Sequence, residues 1–139
     1  MIQEVHKIVK ESGGYRIIIA NSATSIDEKN KKDVVVDGSH FGVNVGRYAA
    51  QAGIKGMIGN DAGKGLENAG VAGMKILDEK GIPGAAVSAM SARIGNGTST
   101  YEEGEISTAN EAARKLGIAA GMSARDAADK MLEAALKQK

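Results

Sequence analysis

Three short polar clusters contain the residue types that this chain could use for chemistry. The first is DGSH, in which Asp37, Ser39 and His40 could serve as acid, nucleophile and base. Ser39 and His40 are sequence neighbours, so in an extended chain they point in opposite directions and cannot bond to each other. The alternative is a simple turn, in which Gly38 bends the chain and Ser39 or His40 caps the helix that follows.

The second cluster is NDAGKG, which contains Asn60, Asp61 and Gly63. Its glycines resemble a phosphate-binding turn at the start of a helix, but the spacing is one residue too short for a Walker loop and no Ser or Thr follows the lysine. A carboxylate at Asp61 would repel phosphate, so it is better suited to proton transfer, ribose binding or a cation. The alternative is the turn chemistry that is common for Asn–Asp pairs.

The third cluster is SARIGNG, which provides Ser91 and Arg93. The planar guanidinium of Arg93 can bind a carboxylate or a phosphate through two hydrogen bonds. Arg93 could instead form an ion pair with Asp37 or Asp61 that only stabilises the fold.

Short apolar strands precede these clusters and must position them. The pattern predicts strands at 15–19, 34–36, 54–58 and 84–90, with an Ala- and Gly-rich helix after the first cluster and a second helix at 66–80. Strands joined by a helix run parallel, so the three clusters should share the sheet edge where open parallel sheets bind ligands. Turns at the opposite edge, at Gly53 and 81–83, carry little beyond Gly and Pro.

The remaining segments complete the predicted fold. Residues 2–11 fit either a helix or, as we favour, a hairpin with the strand at 15–20, turned by the two glycines between them. Residues 95–105 form a polar stretch long enough for a lid or a site-lining loop. Thr108 and Ser123 each precede an acidic residue at capping-box spacing, which predicts two final helices. We expect one α/β domain over residues 1–139, a small doubly wound (Rossmann-like), mostly parallel sheet with helices on both faces.

Composition excludes several classes of function. Eighteen Lys and Arg against 17 Asp and Glu leave no basic field for nucleic acid, and no apolar run approaches the roughly 20 residues of a membrane span. The charged N-terminus does not resemble a signal peptide and there is no Cys, so we expect a cytoplasmic protein. We expect no cofactor and no metal, because no ligand motif such as HExxH accompanies His40. With 19 Gly and few aromatic residues, a homo-oligomer is expected.

These features predict an enzyme that acts on a small anionic metabolite by hydrolase- or lyase-like acid/base chemistry. Arg93 would bind the anion, His40 or Asp61 would move protons, and Ser39 would attack or donate a hydrogen bond. The amides of Gly38 and Gly63 could stabilise developing negative charge. Two alternatives are a non-catalytic module that binds a nucleotide or an organic acid, and an assembly subunit whose Gly/Ala helix faces pack against copies of itself.

Overall fold

The computed structural model describes residues 6–21, 26–63 and 72–138, which form a six-stranded sheet with helices on both faces. The elements in chain order are β1 His6–Ser12, β2 Tyr15–Ala20, β3 Asp33–His40, α1 Val43–Ala52, β4 Gly56–Asn60, α2 Met74–Glu79, β5 Gly84–Val87, α3 Gly97–Glu103, β6 Ile106–Ala109, α4 Glu111–Lys115 and α5 Ala124–Lys137. A short 3₁₀ turn, Glu28–Asn30, precedes β3. The predictions for residues 2–5 and 66–71 lie outside the described residues.

The sheet is mostly parallel and its strands follow one another in chain order. Strands β2 to β5 pair in parallel, whereas β1 and β6 pair antiparallel at the two sides of the sheet. The α/β class and the mostly parallel sheet are confirmed. A doubly wound sheet binds ligands where its strand order reverses, and no reversal occurs among the described strands. The edge where β2 to β5 end is here called the carboxyl edge. The candidate site lies at this edge and not in a switch-point crevice.

Alternating side chains along the strands build two apolar cores, one on each face of the sheet. On one face, Val34 and Val36 pack with alanines of α5, and on the other Val35 packs with α1 and α2. The alanine-rich sides of α1 and α5 are thus buried against the chain's own sheet, as shown by Ala49 and Ala127, which are both fully buried. Because these helix faces are buried within the chain, they do not support the expected homo-oligomer, which stays a prediction.

Two of the predicted helix starts have different outcomes. Ser123 caps α5, because its hydroxyl accepts a hydrogen bond from the amide of Asp126 at 3.1 Å. The prediction for Thr108 is wrong, since that residue lies in β6 and pairs with Ala86 of β5. Asn110 caps α4 instead, accepting from the amide of Ala113 at 2.9 Å. Pairing with β5 outweighs the local capping signal.

The polar stretch at 95–105 is not a loop. Most of it forms α3, which begins after Asn96, whose side chain accepts a hydrogen bond from the amide of Ser99 at 2.9 Å. The segment therefore contributes a helix, and not a loop, to the carboxyl edge.

At the other side of the sheet, β1 pairs with β2 across the turn of Gly13 and Gly14, which both have positive φ angles.

Among the helices of the described residues, none has both the length and the apolar character needed to cross a bilayer.

Candidate functional site

The structure brings the three polar clusters to the same edge of the sheet. Strands β3 and β4 are parallel, and His40 lies opposite Asn60. The amide of Asp61 donates to the carbonyl of Val87 at the end of β5, at 2.9 Å. The side chains of the clusters nevertheless have very different surroundings, and these decide which of them a ligand can reach.

Both carboxylate oxygens of Asp61 accept hydrogen bonds from within the protein. It is 5% exposed, and its Oδ1 accepts hydrogen bonds from the amides of Gly63 at 2.8 Å and Ala89 at 3.0 Å. Its Oδ2 accepts from the hydroxyl of Ser107 in β6 at 2.6 Å. The carboxylate therefore fastens the end of β4 to the segment after β5, and the Gly63 amide is occupied rather than available for developing charge.

Asn60 and Ser91 serve the same structural purpose. Asn60 is fully buried, and its amide group donates to the carbonyl of Ala92 at 3.2 Å and accepts from the amide of Ala62 at 2.7 Å. The hydroxyl of Ser91 donates to the carbonyl of Ser88 at 2.8 Å and accepts from the amide of Glu105 at 2.9 Å. Both side chains hold the carboxyl edge together.

The DGSH cluster divides into a buried half and an accessible half. Asp37 is fully buried, with its Oδ1 accepting from the amide of Ser39 at 3.2 Å, whereas Ser39 is half-buried and His40 is exposed. A Cβ atom at Gly38 would overlap the backbone nitrogen of Asn96, so only glycine allows β3 to approach this turn. Helix α1 begins after Gly42 without a side-chain cap, so the alternative that Ser39 or His40 caps it is wrong.

Arg93 is the predicted residue that stays accessible in a concave site. Its side chain is exposed, and the ion pairs within the described residues are Lys10 with Asp129 and Arg16 with Asp33. The alternative that Arg93 pairs with Asp37 or Asp61 is therefore not observed. Its backbone amide donates to the hydroxyl of Ser99 at 3.0 Å, which attaches this part of the chain to α3.

A cleft of about 490 Å³ opens at this edge, between the end of β4, the segment after β5 and α3. Its lining residues are Ala62, Ala89, Met90, Ser91, Ala92, Arg93, Ile94, Ser99 and Glu103. We call it the carboxyl-edge cleft. Ser91 and Arg93 are the predicted site residues that line it. Its lining residues do not include the other predicted site residues, which are Asp37, Gly38, Ser39, His40, Asn60, Asp61 and Gly63.

Two polar lining residues, Ser99 and Glu103, were missed by sequence reasoning. Ser99 is 5% exposed and its hydroxyl donates to Oε1 of Glu103 at 2.8 Å. The signal that could have found them is local: Asn96 stands three residues before Ser99, as an N-cap does, and Glu103 follows Ser99 by one helical turn.

A second cleft, of about 570 Å³, lies at the amino edge, where β4 and β5 begin. It includes Gly53 and Pro83 of the predicted turns, together with Lys55, Lys115 and Asp78, which lie outside those turns. Asp78 accepts hydrogen bonds from two amides at the start of α4, at 3.2 and 3.0 Å, and so acts as a cap. This cleft is larger, but the ammonium of Lys55 lies over the ring of Tyr15, 5.9 Å from its centroid, whereas the guanidinium of Arg93 in the carboxyl-edge cleft has no carboxylate partner within the described residues.

Among the described residues, no group of three or more His, Asp or Glu side chains is placed to hold a metal ion. Comparison of the chain with protein-family models, with curated proteins and with solved structures found no match.

Proposed function

We propose that the chain binds a small anionic metabolite in the carboxyl-edge cleft, with Arg93 as the group that holds the anion. The observation that carries the proposal is the state of this guanidinium, which is exposed in a cleft and, within the described residues, has no carboxylate partner. An unpaired arginine in a concave site is suited to a bidentate contact with carboxylate or phosphate. The proposal uses the mostly parallel sheet and does not depend on a Rossmann-like strand order.

Acid/base catalysis on the bound metabolite, of the hydrolase or lyase type, is the second candidate function. Its support is His40, an exposed imidazole at the same edge, directly opposite Asn60, whose amide group contacts the residue before Arg93. Asp61 is less suited to move protons, because both its oxygens already accept hydrogen bonds. A His40→Ala variant separates the two functions, since it should abolish turnover in an enzyme, whereas in a binding module it should merely weaken binding.

The proposal is tested by titrating a panel of small carboxylates, phosphate monoesters and inorganic phosphate into the wild-type chain and two variants. Arg93→Ala should weaken binding by about 1.5–3 kcal/mol, the range for hydrogen bonds to charged groups. The affinity of Arg93→Lys should lie between those of the wild type and Arg93→Ala, because lysine keeps the charge but loses the planar fork. The free energy of unfolding should change by less than about 0.5 kcal/mol in both, since the side chain is exposed and unpaired.

Arg47→Ala is the matched control, because Arg47 is an exposed arginine of α1 that lines neither cleft. It should leave binding unchanged. Equal affinities of the wild type and Arg93→Ala for every anion that binds would overturn the proposal. A large fall in melting temperature with unchanged binding would also overturn it and would assign Arg93 to the fold.

A further inference from the structure

The carboxyl-edge cleft carries two opposite charges that do not meet. Arg93 and Glu103 both line it and are both exposed. The ion pairs of the described residues do not include one between them, so their charged atoms are more than 4.0 Å apart. Two such groups in one cleft present a positive and a negative contact to the same ligand.

The position of Glu103 is set by Ser99. A hydroxyl has one proton to donate and two lone pairs, and the Ser99 hydroxyl accepts from the amide of Arg93 at 3.0 Å while it donates to Oε1 of Glu103 at 2.8 Å. Ser99 is 5% exposed, so this hydroxyl is buried behind the two charged residues. Within the described residues Oε2 of Glu103 has no hydrogen-bond donor, which leaves one carboxylate oxygen for a ligand.

Apart from Ser91 and Ser99, the rest of the cleft lining is apolar. Met90 is 98% exposed and Ile94 is 57% exposed, and both line it next to Arg93, together with three alanines. These two side chains give the cleft an apolar side, and methionine adapts readily to the shape of apolar ligands.

We propose that the ligand is a zwitterion of the α-amino-acid class with an apolar side chain; this rests on the part of the function proposed above in which Arg93 binds an anionic group, and it names the class of ligand that carries that group. The ligand carboxylate binds Arg93, its ammonium binds Glu103, and its side chain lies against Met90 and Ile94. A simple anion would meet the repulsion of the Glu103 carboxylate, whereas a zwitterion turns that repulsion into attraction.

Three probes that share the isobutyl group test the assignment by calorimetric titration of the full chain. L-Leucine carries both charges, 4-methylpentanoate lacks the ammonium, and 3-methylbutylamine lacks the carboxylate. The wild type should bind leucine at least about tenfold more tightly than either of the others, the difference expected for one charged hydrogen bond.

The variants separate the two charges. Glu103→Gln keeps an oxygen for the Ser99 hydroxyl, and it should weaken leucine binding about tenfold while leaving 4-methylpentanoate unchanged or tighter. Arg93→Gln should weaken the binding of both carboxylates. Glu102→Gln is the matched control, because Glu102 is the exposed neighbour of Glu103 on α3 and does not line the cleft.

Ser99→Ala tests the positioning residue. If Ser99 orients Glu103, the ratio of the affinities for leucine and 4-methylpentanoate should fall toward one. A purely structural role of the hydroxyl would weaken both ligands equally and leave the ratio unchanged, which would overturn the positioning role.

The failure of this inference and that of the proposed function differ in outcome. If 4-methylpentanoate binds as tightly as leucine and Glu103→Gln changes nothing, the zwitterion is overturned, whereas weaker binding in Arg93→Gln still supports the anion site. If Glu103→Gln weakens leucine binding and Arg93→Gln does not, both are overturned, because the site then binds only the ammonium. If none of the three probes binds, the zwitterion is overturned and the anion panel decides the proposed function.

Discussion

Two arginines at opposite ends of the sheet are used in different ways. At the amino edge, Nε and Nη2 of Arg16 donate to the two oxygens of Asp33, both at 2.8 Å, and Asp33 is fully buried. This hydrogen bonding raises the pKa of Arg16 above its ordinary value. At the carboxyl edge, Asp61 is nearly as buried but accepts only from amides and a hydroxyl, and Arg93 has no carboxylate partner within the described residues.

The difference shows how a fold keeps a cation available. A buried carboxylate must be compensated, either by an opposite charge or by several good donors. The positive charge of Arg16 compensates Asp33, so this arginine stabilises the fold and is not available to a ligand. Because neutral donors compensate Asp61, the charge of Arg93 is not used by the fold and can serve a ligand.

The largest expected effect tests how tightly the carboxyl edge is packed. Gly38→Ala should lower the free energy of unfolding by about 3 kcal/mol, the upper part of the usual range for overpacking, because the new Cβ meets the backbone of Gly95 and Asn96. Gly53→Ala at the amino edge is the comparison: nothing lies within 4 Å of the new Cβ, and only the positive φ of 68° opposes alanine.

We expect Gly53→Ala to cost about 1 kcal/mol, the cost of the left-handed conformation for an L-residue. Urea denaturation of both variants measures the difference. Similar losses in the two would show that the contact between β3 and the 95–96 turn is loose.

A smaller effect should separate the two arginines. Arg16→Met leaves Asp33 buried with Asn30 as its remaining side-chain donor, at 2.9 Å, and should cost about 1.5–3 kcal/mol of stability. This is less than the loss for a fully buried pair, because the side chain of Arg16 is 33% exposed. Arg93→Met should change stability by less than about 0.5 kcal/mol. Thermal melts of Arg16→Met and Arg93→Met measure the two losses of stability. Equal destabilisation would show that the fold depends on both arginines alike.

The smallest effect comes from an exposed ion pair. Asp129 hydrogen-bonds Lys10 at 3.0 Å and raises the pKa of the lysine above 10.5. A raised pKa means that the stabilisation is fully present below pH 10.5 and is lost as the pH rises through the raised value. Both side chains are more than one-third exposed, so Asp129→Asn should cost less than about 1 kcal/mol at pH 7.

The difference in stability between the wild type and Asp129→Asn should shrink toward zero above the raised pKa. Glu79→Gln, at an exposed position of α2, provides the control for effects of charge removal alone. A difference that persists unchanged at high pH would show that Asp129 stabilises the chain through something other than Lys10.

The strands of the parallel sheet could be predicted because their side chains are strongly patterned. The runs that became β2 and β3 are β-branched and bounded by polar turns, and the helix between β3 and β4 fixes their parallel pairing. Strand β6 and helix α3 were missed, because neither has a strong local signal. Thr108 looks like a helix cap until the neighbouring strand β5 is in place, and α3 begins with Gly, Thr and Ser, which are weak helix formers.

The edge that holds the candidate site was also predictable, but the tasks of its side chains were not. Asn60 and Asp61 looked like ligand groups, yet their partners, Ala92 and Ala89, lie far along the chain and come near only in the folded sheet. Glu103 looked like an ordinary surface charge. Its proposed role depends on the hydroxyl of Ser99: the spacing of the two residues allows their contact, but only the fold shows that this hydroxyl is buried beside the cleft.

The consecutive strand order has a consequence for how the chain is made. Each strand pairs with the strand before it, so the sheet can grow in the direction of synthesis without waiting for a distant partner. Helix α5, which packs against β2, β3 and β4 on one face, follows all six strands in the described part of the chain. Until α5 leaves the ribosome, the apolar side chains of Ile17, Val34 and Ile58 on that face lack their cover. The emerging chain is therefore a paired but one-sided sheet, and this is the stage at which it most needs protection from aggregation.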